Sequence, residues 1–248
     1  MKRFWRILGY GVLGIVLVGT LAFVLWASFP AGPEPQAFDS LGSDPDVQFE
    51  SLNNWLVFSP EGLNPETGLI FYPGARVDKR AYAPLAQSIA KEGFTVIIVP
   101  MPLNFAFLDI NRASEVMQAF PHIDHWAVGG HSLGGAMAAE FGGANLDAVD
   151  GLVFWASYPG GNNDLSETDL QVLSIYASND GLASPEEVLN SRERLPDDAQ
   201  FIEIEGGNHA GFGWYGPQSG DGERQIPKST QINQVVAETA AFLGRLED

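Results

Sequence analysis

The 248-residue chain has no cysteine. That excludes disulfides, thiolate-bound zinc, a cysteine nucleophile and lipid attachment through cysteine. Basic residues are scarce: 13 Lys and Arg stand against 31 Asp and Glu, for a net charge of −18 at pH 7. Lys2, Arg3 and Arg6 lie at the N-terminus, and no acid precedes Glu34. The rest of the chain therefore sets ten basic residues against 31 acids, a net −21. Such a surface repels phosphate backbones and anionic lipid headgroups, so nucleic acid is excluded as a partner. The same charge keeps a domain soluble and dispersed. There are only four histidines, which shortens any search for a general base. Internal repeats and low-complexity tracts are absent.

What is present begins with an apolar content of 45%, enough for a packed core and too much for general disorder. Ile7 to Trp26 carries no charge. About twenty helical residues span a hydrocarbon core of ~30 Å. Trp5, Tyr10 and Trp26 stand near the ends of this run, and Lys2, Arg3 and Arg6 precede it. The positive-inside rule places the N-terminus in the cytoplasm and the remainder outside the cell. No small-x-small pair marks a cleavage site around Trp26-Ala27-Ser28-Phe29-Pro30. An uncleaved single-pass anchor is expected over residues 1–29, in preference to a cleaved signal or a buried core helix. Residues 30–45, rich in Pro, Gly and acid, read as a short extended tether. Residues 46–248 read as one folded domain.

Within that domain, strands are expected at Val47–Glu50 and Trp55–Phe58, joined across Asn53-Asn54. Short apolar runs mark further strands at Gly68–Tyr72, Phe94–Val99, Trp126–Gly129, Gly151–Ala156, Val172–Ala177 and Phe201–Ile204. Between them, helical spacing appears over Lys79–Glu92, Asn111–Phe120, Leu133–Phe141 and Gln231–Leu246. Ser184-Pro185-Glu186-Glu187 has an N-cap, Pro at the first position and acids at the positive end. Strands that are apolar throughout and alternate with helices imply an α/β fold, with a mostly parallel sheet covered on both faces. Only about fifteen residues separate the strands ending at Ala156 and starting at Val172. That leaves no room for a large lid, so an open or lightly covered site is expected.

Gly130-His131-Ser132-Leu133-Gly134 fits Gly-x-Ser-x-Gly. The pattern alone is weak, but here it falls between an expected strand and an expected helix, the setting a strained nucleophile turn requires. Ser132 is the candidate nucleophile. His131 lies inside the turn beside it, and His122 and His125 precede the nucleophile strand. His209 follows the last strand, at the strand ends where such sheets carry their sites. It is the candidate base. Asp180, in Ser178-Asn179-Asp180-Gly181 just past a strand, is the candidate orienting acid, with Asp164 as runner-up. The oxyanion donors are expected to be the backbone N–H of Leu133 and one from the loop Pro73-Gly74-Ala75-Arg76. Ala75 is favoured there, with Arg76 next.

From about Asn54 to Leu246 the sequence resembles the compact α/β-hydrolases of the "family 5" type, related to the dienelactone-hydrolase branch. The resemblance rests on Phe71-Tyr72-Pro73-Gly74, Gly129–Gly135, Ser178–Gly181 and Gly206–Gly213, continuing through Tyr215-Gly216-Pro217-Gln218 and Gly220-Asp221-Gly222. It implies an α/β-hydrolase fold and a triad of Ser132, Asp180 and His209. Dienelactone hydrolases proper use a cysteine nucleophile, so their own reaction is not implied. Trp214 stands where a polar residue is expected, which makes the rim more apolar. Phe105, Phe107, Phe212, Trp214 and Tyr215 are candidates for that rim. The expectation is a serine hydrolase, carboxylesterase-like, acting on a small neutral ester without metal or organic cofactor. The alternatives are a binding module that has lost the chemistry and an acyltransferase acting on an envelope acceptor.

Overall fold

A computed structural model of the chain describes residues 2–42 and 44–246. After the N-terminal helix α1 (Lys2–Ala27), eight strands form one sheet in the order β1-β2-β4-β3-β5-β6-β7-β8. β1 (Val47–Leu52), β2 (Trp55–Pro60) and β4 (Thr95–Ile98) pair antiparallel in succession. β3 (Thr67–Tyr72) pairs parallel with both β4 and β5 (His125–His131). β6 (Gly151–Trp155), β7 (Gln171–Ala177) and β8 (Gln200–Ile204) extend the parallel part. The sheet is mostly parallel, as its unbroken apolar runs require. The β1–β2 turn is Asn53-Asn54, with φ of 51° and 67°. Two successive positive φ values make the tight turn that matches the twist of a hairpin, and asparagine tolerates them.

Alternate strand residues serve two cores. Leu69 and Phe71 pack with Trp155, Phe212, α3 (Ala83–Lys91) and α7 (Lys228–Leu243) on one face. Ile70 and Tyr72 pack with Trp126, Phe141, Phe154, α4 (Arg112–Ala119) and α5 (Leu133–Ala144) on the other. The connection between β6 and β7 contains no helix, so no helical lid stands there.

Three elements depart from the sequence reading in their bounds. The helix expected over Lys79–Glu92 divides into a 3₁₀ turn, Lys79–Tyr82, and α3, because Pro84 fits only the first turn of an α-helix. α7 begins three residues earlier than expected, directly after Pro227, and is capped at Gly244. The segment read as an extended tether contains a short helix, α2 (Pro35–Asp39), whose Ala37 is fully buried. It is fastened to the domain by backbone bridges Ala31–Val77 and Pro33–Tyr215 and by an ion pair of Glu34 with Lys228 at 2.9 Å. Glu34 meets a cation here that composition alone could not assign to it.

α1 is long and apolar enough to cross a membrane, with a mean hydropathy of 2.3 and none of its apolar window buried. A signal sequence near the N-terminus passes the same test of length and hydropathy.

Candidate active site

Ser132 directly follows β5 and caps α5. Its backbone, φ 53° and ψ −127°, lies in a region that L-residues avoid. Its surroundings over-determine this strained conformation. Ser132 N–H donates to Trp155 O at 3.0 Å, and its carbonyl accepts from Ser157 Oγ at 2.6 Å and Gly135 N–H at 3.0 Å. Glycine is required at 134, where any Cβ would collide with the carbonyl oxygen of Tyr72. At 130 a Cβ would sit 2.5 Å from the same oxygen. The motif's glycines therefore let α5 start hard against the end of β3.

Asp180 lies three residues past β7, and His209 opens a 3₁₀ turn after β8. Both are buried. His209 Nδ1 is 2.8 Å from Asp180 Oδ2. Asp180 Oδ1 accepts from the N–H groups of Leu182 and Ala183, each at 2.8 Å, which fixes the plane of the carboxylate. Asp180 is not needed to cap the next helix, α6 (Pro185–Asn190). Ser184 does that in a reciprocal capping box with Glu187. His209 Nε2 is buried and makes no hydrogen bond among the described residues, Ser132 Oγ included.

Of the other candidates, Asp164 is exposed; the Ser166 hydroxyl first, and then the Ser166 N–H at 3.1 Å, hold its pKa below the ordinary value. His122 is exposed, and His125 begins β5 at the opposite end of the sheet, 3.9 Å from Asp150. Arg76 N–H donates to Asn104 O at 2.8 Å and is thereby occupied. The N–H groups of Ala75 and Leu133 form no backbone bond among the described residues. Of the aromatic rim candidates, Phe105 and Tyr215 line the cleft beside Ala75, Phe107 is 47% exposed, Trp214 is partly buried, and Phe212 belongs to the core.

Two features escaped the sequence reading. The first is Asp221. Its carboxylate accepts from the N–H of His209 at 3.1 Å, of Ala210 at 2.8 Å and of Gly222 at 2.8 Å. It thus holds the start of the histidine turn, while buried Gln231 clamps Asn208 through both its N–H and its carbonyl. The one signal was Asp221 between two glycines in Gly220-Asp221-Gly222.

The second is His131. Its ring is fully buried, 4.5 Å from the His209 ring. Its Nδ1 is 2.9 Å from Tyr82 Oη, which also accepts from Gly74 N–H at 3.1 Å. Burial raises the Tyr82 pKa, so the hydroxyl keeps its proton. Burial first, and then the charge of His209, push the His131 pKa well below its ordinary value. A neutral His131 therefore links the loop of Ala75 to the neighbourhood of His209.

A cleft of about 480 Å³ opens beside Ala75 and Arg76, walled also by Trp26, Phe29, Phe105 and Gln218. Ser132 and His209 are not on its lining. A more polar recess of about 610 Å³, lined by Pro73, Asp78 and Lys79, reaches the same loop but contains none of the candidate chemical groups.

The architecture is shared with solved structures. An esterase domain from Rhodothermus marinus superposes with a TM-score of 0.59 at 12% identity, covering 80% of this chain and 97% of that one. A dienelactone hydrolase from Anabaena variabilis gives 0.65 at 12% identity, covering 81% and 98%. A predicted CIB-like hydrolase from Thermoplasma acidophilum gives 0.56 at 14% identity, covering 81% and 100%. At these identities the likeness is one of fold. No curated protein matches the sequence. A sequence profile of the alpha/beta hydrolase family matches residues 68–233, from β3 into α7, a stretch that includes Ser132, Asp180 and His209. The chain belongs to the alpha/beta hydrolase family.

Proposed function

We propose that the protein is a serine hydrolase that cleaves a carboxylic ester of a small neutral substrate, with Ser132 as nucleophile, His209 as base and Asp180 as orienting acid. The observation that carries this reading is the buried His209–Asp180 contact of 2.8 Å, with Nε2 left free at the strand ends where Ser132 sits in its strained turn. With Nδ1–H donated to Asp180, Nε2 carries the lone pair that takes the Ser132 proton. The hydroxyl oxygen attacks the acyl carbon. The free N–H groups of Leu133 and Ala75 receive the oxyanion, aided by the positive end of α5. His209 passes the proton to the departing alcohol. Water, activated at the same nitrogen, then releases the acid and restores Ser132. Neutral His131 adds no charge to oppose the imidazolium that forms beside it.

The negative domain surface favours neutral substrates over polyanions. α1 is read as an uncleaved single-pass span with the N-terminus in the cytoplasm, which sets the hydrolase domain outside the membrane on the far side.

The test is hydrolysis of a series of p-nitrophenyl esters by the full chain in detergent. Wild type turns over at least the short acyl esters with a burst of one nitrophenol per chain. Ser132→Ala loses on the order of 10³-fold or more in kcat. A Ser132→Ala variant that retains wild-type turnover refutes the assignment.

A further inference from the structure

The end of α1 is built into the rim of the candidate site rather than hanging from a loose tether. Asn104 Nδ2 donates to Ala27 O at 2.9 Å, and Arg76 Nη2 donates to Phe29 O at 2.8 Å. Ala31 N–H donates to Arg76 O at 2.6 Å, and Asp78 N–H returns a bond to Ala31 O at 3.0 Å. The Arg76 guanidinium lies 3.9 Å over the Trp26 ring. Every one of these bonds goes to the oxyanion loop or its neighbour, and Ala75 is the residue before Arg76.

Trp26 ends the apolar run, where an amphipathic ring marks the membrane–water interface. Phe23, about one turn deeper in α1, stacks on Phe105 with centroids 6.0 Å apart and planes at 19°. The segment around residues 102–108 therefore descends beside the last turn of the span. Its Phe107 and Leu108 are 47% and 45% exposed, and Phe29 is 71% exposed. Large apolar side chains left bare at that level match the acyl boundary of a bilayer. The cleft beside Ala75 opens between these same residues, Trp26 and Phe29 on one wall and Phe105 on the other.

Building on the serine-hydrolase and anchor readings above, we propose that this cleft takes a long-chain acyl ester directly from the bilayer surface. The acyl chain lies between the end of α1 and Phe105, and the ester carbonyl reaches Ala75 N–H. The substrate class is a neutral ester amphiphile, since the domain carries 31 acids against ten basic residues. In the reaction the ester C–O bond breaks and a bond from Ser132 Oγ to the acyl carbon forms. The serine proton leaves with the alcohol through His209. Water then cleaves the acyl-serine to the free fatty acid and regenerates the hydroxyl.

The experiment reconstitutes the full chain in phosphatidylcholine vesicles that carry a neutral long-chain diacylglycerol. Fatty-acid release is measured beside hydrolysis of water-soluble p-nitrophenyl acetate. A second protein carries about twenty Gly/Ser residues inserted between Ala27 and Ser28, a coil of ~25 Å that lets the domain leave the surface. The proposal expects release from vesicles by wild type, and at least a tenfold fall in the ratio of vesicle to soluble turnover on insertion. A ratio that the insertion leaves unchanged overturns it. So does hydrolysis of the acetate without release from vesicles, or recovery of a chain cleaved ahead of Ala31. Failure to hydrolyse either ester overturns the serine-hydrolase reading as well, and so separates the two.

Discussion

In the proposed mechanism, Ser132, His209 and Asp180 divide one task by environment. The serine is half-buried and strained, whereas the other two are buried and locked. Asp180→Asn keeps the shape but presents an amide to the ring, which favours the wrong tautomer. It should lower kcat by about 10⁴-fold, as read from steady-state ester hydrolysis. His131 adds a dependence on pH. Its folded pKa is depressed, so below the unfolded value of about 6.5 the unfolded chain binds a proton that the folded chain refuses. The stabilising contribution is therefore whole above that pH and falls as pH drops through it, by up to about 1.4 kcal/mol per pH unit. Thermal midpoints between pH 7.5 and 5 should show this slope, and His131→Gln should flatten it. An equal slope in the variant would place the effect elsewhere. The serine turn was legible in the sequence because glycines and strand–helix context both constrain it. The His131–Tyr82 contact was not, since it joins residues 49 apart through folding alone.

At the level of elements, strand ends position the groups and small caps hold them. Asp221 is the clearest cap, because four backbone N–H groups, those of Gly181, His209, Ala210 and Gly222, depend on one carboxylate. Asp221→Ala strands these donors and should cost about 1–3 kcal/mol in urea unfolding. It should also lower kcat more than it alters KM, because the His209 turn loosens while the cleft wall stays in place. The eight strands could be read from their apolar runs, and the β1–β2 hairpin from Asn53-Asn54, since these signals are local. Helix starts were harder. Pro84 divided one expected helix and Pro227 set the start of another, each acting through fixed backbone geometry that apolar spacing does not report. The folding of residues 30–42 onto the domain was invisible for a different reason. Its partners, Val77, Tyr215 and Lys228, are distant in sequence.

For the whole molecule, the proposed account joins a hydrolase domain of net negative charge to an apolar helix at its site rim. If α1 is retained as a span, the full chain expressed in cells should stay with membranes through alkaline carbonate washing. Release of a shortened chain by that wash would mark α1 as a cleaved signal instead. The central claim is narrower: a serine at 132 activated by His209. It is tested most directly by labelling the full chain in detergent with a fluorophosphonate and mapping the modified residue by mass spectrometry. The account predicts a single adduct on Ser132, abolished in Ser132→Ala and strongly reduced in His209→Ala. A folded wild-type chain that takes no label, or takes it on another residue, would contradict it.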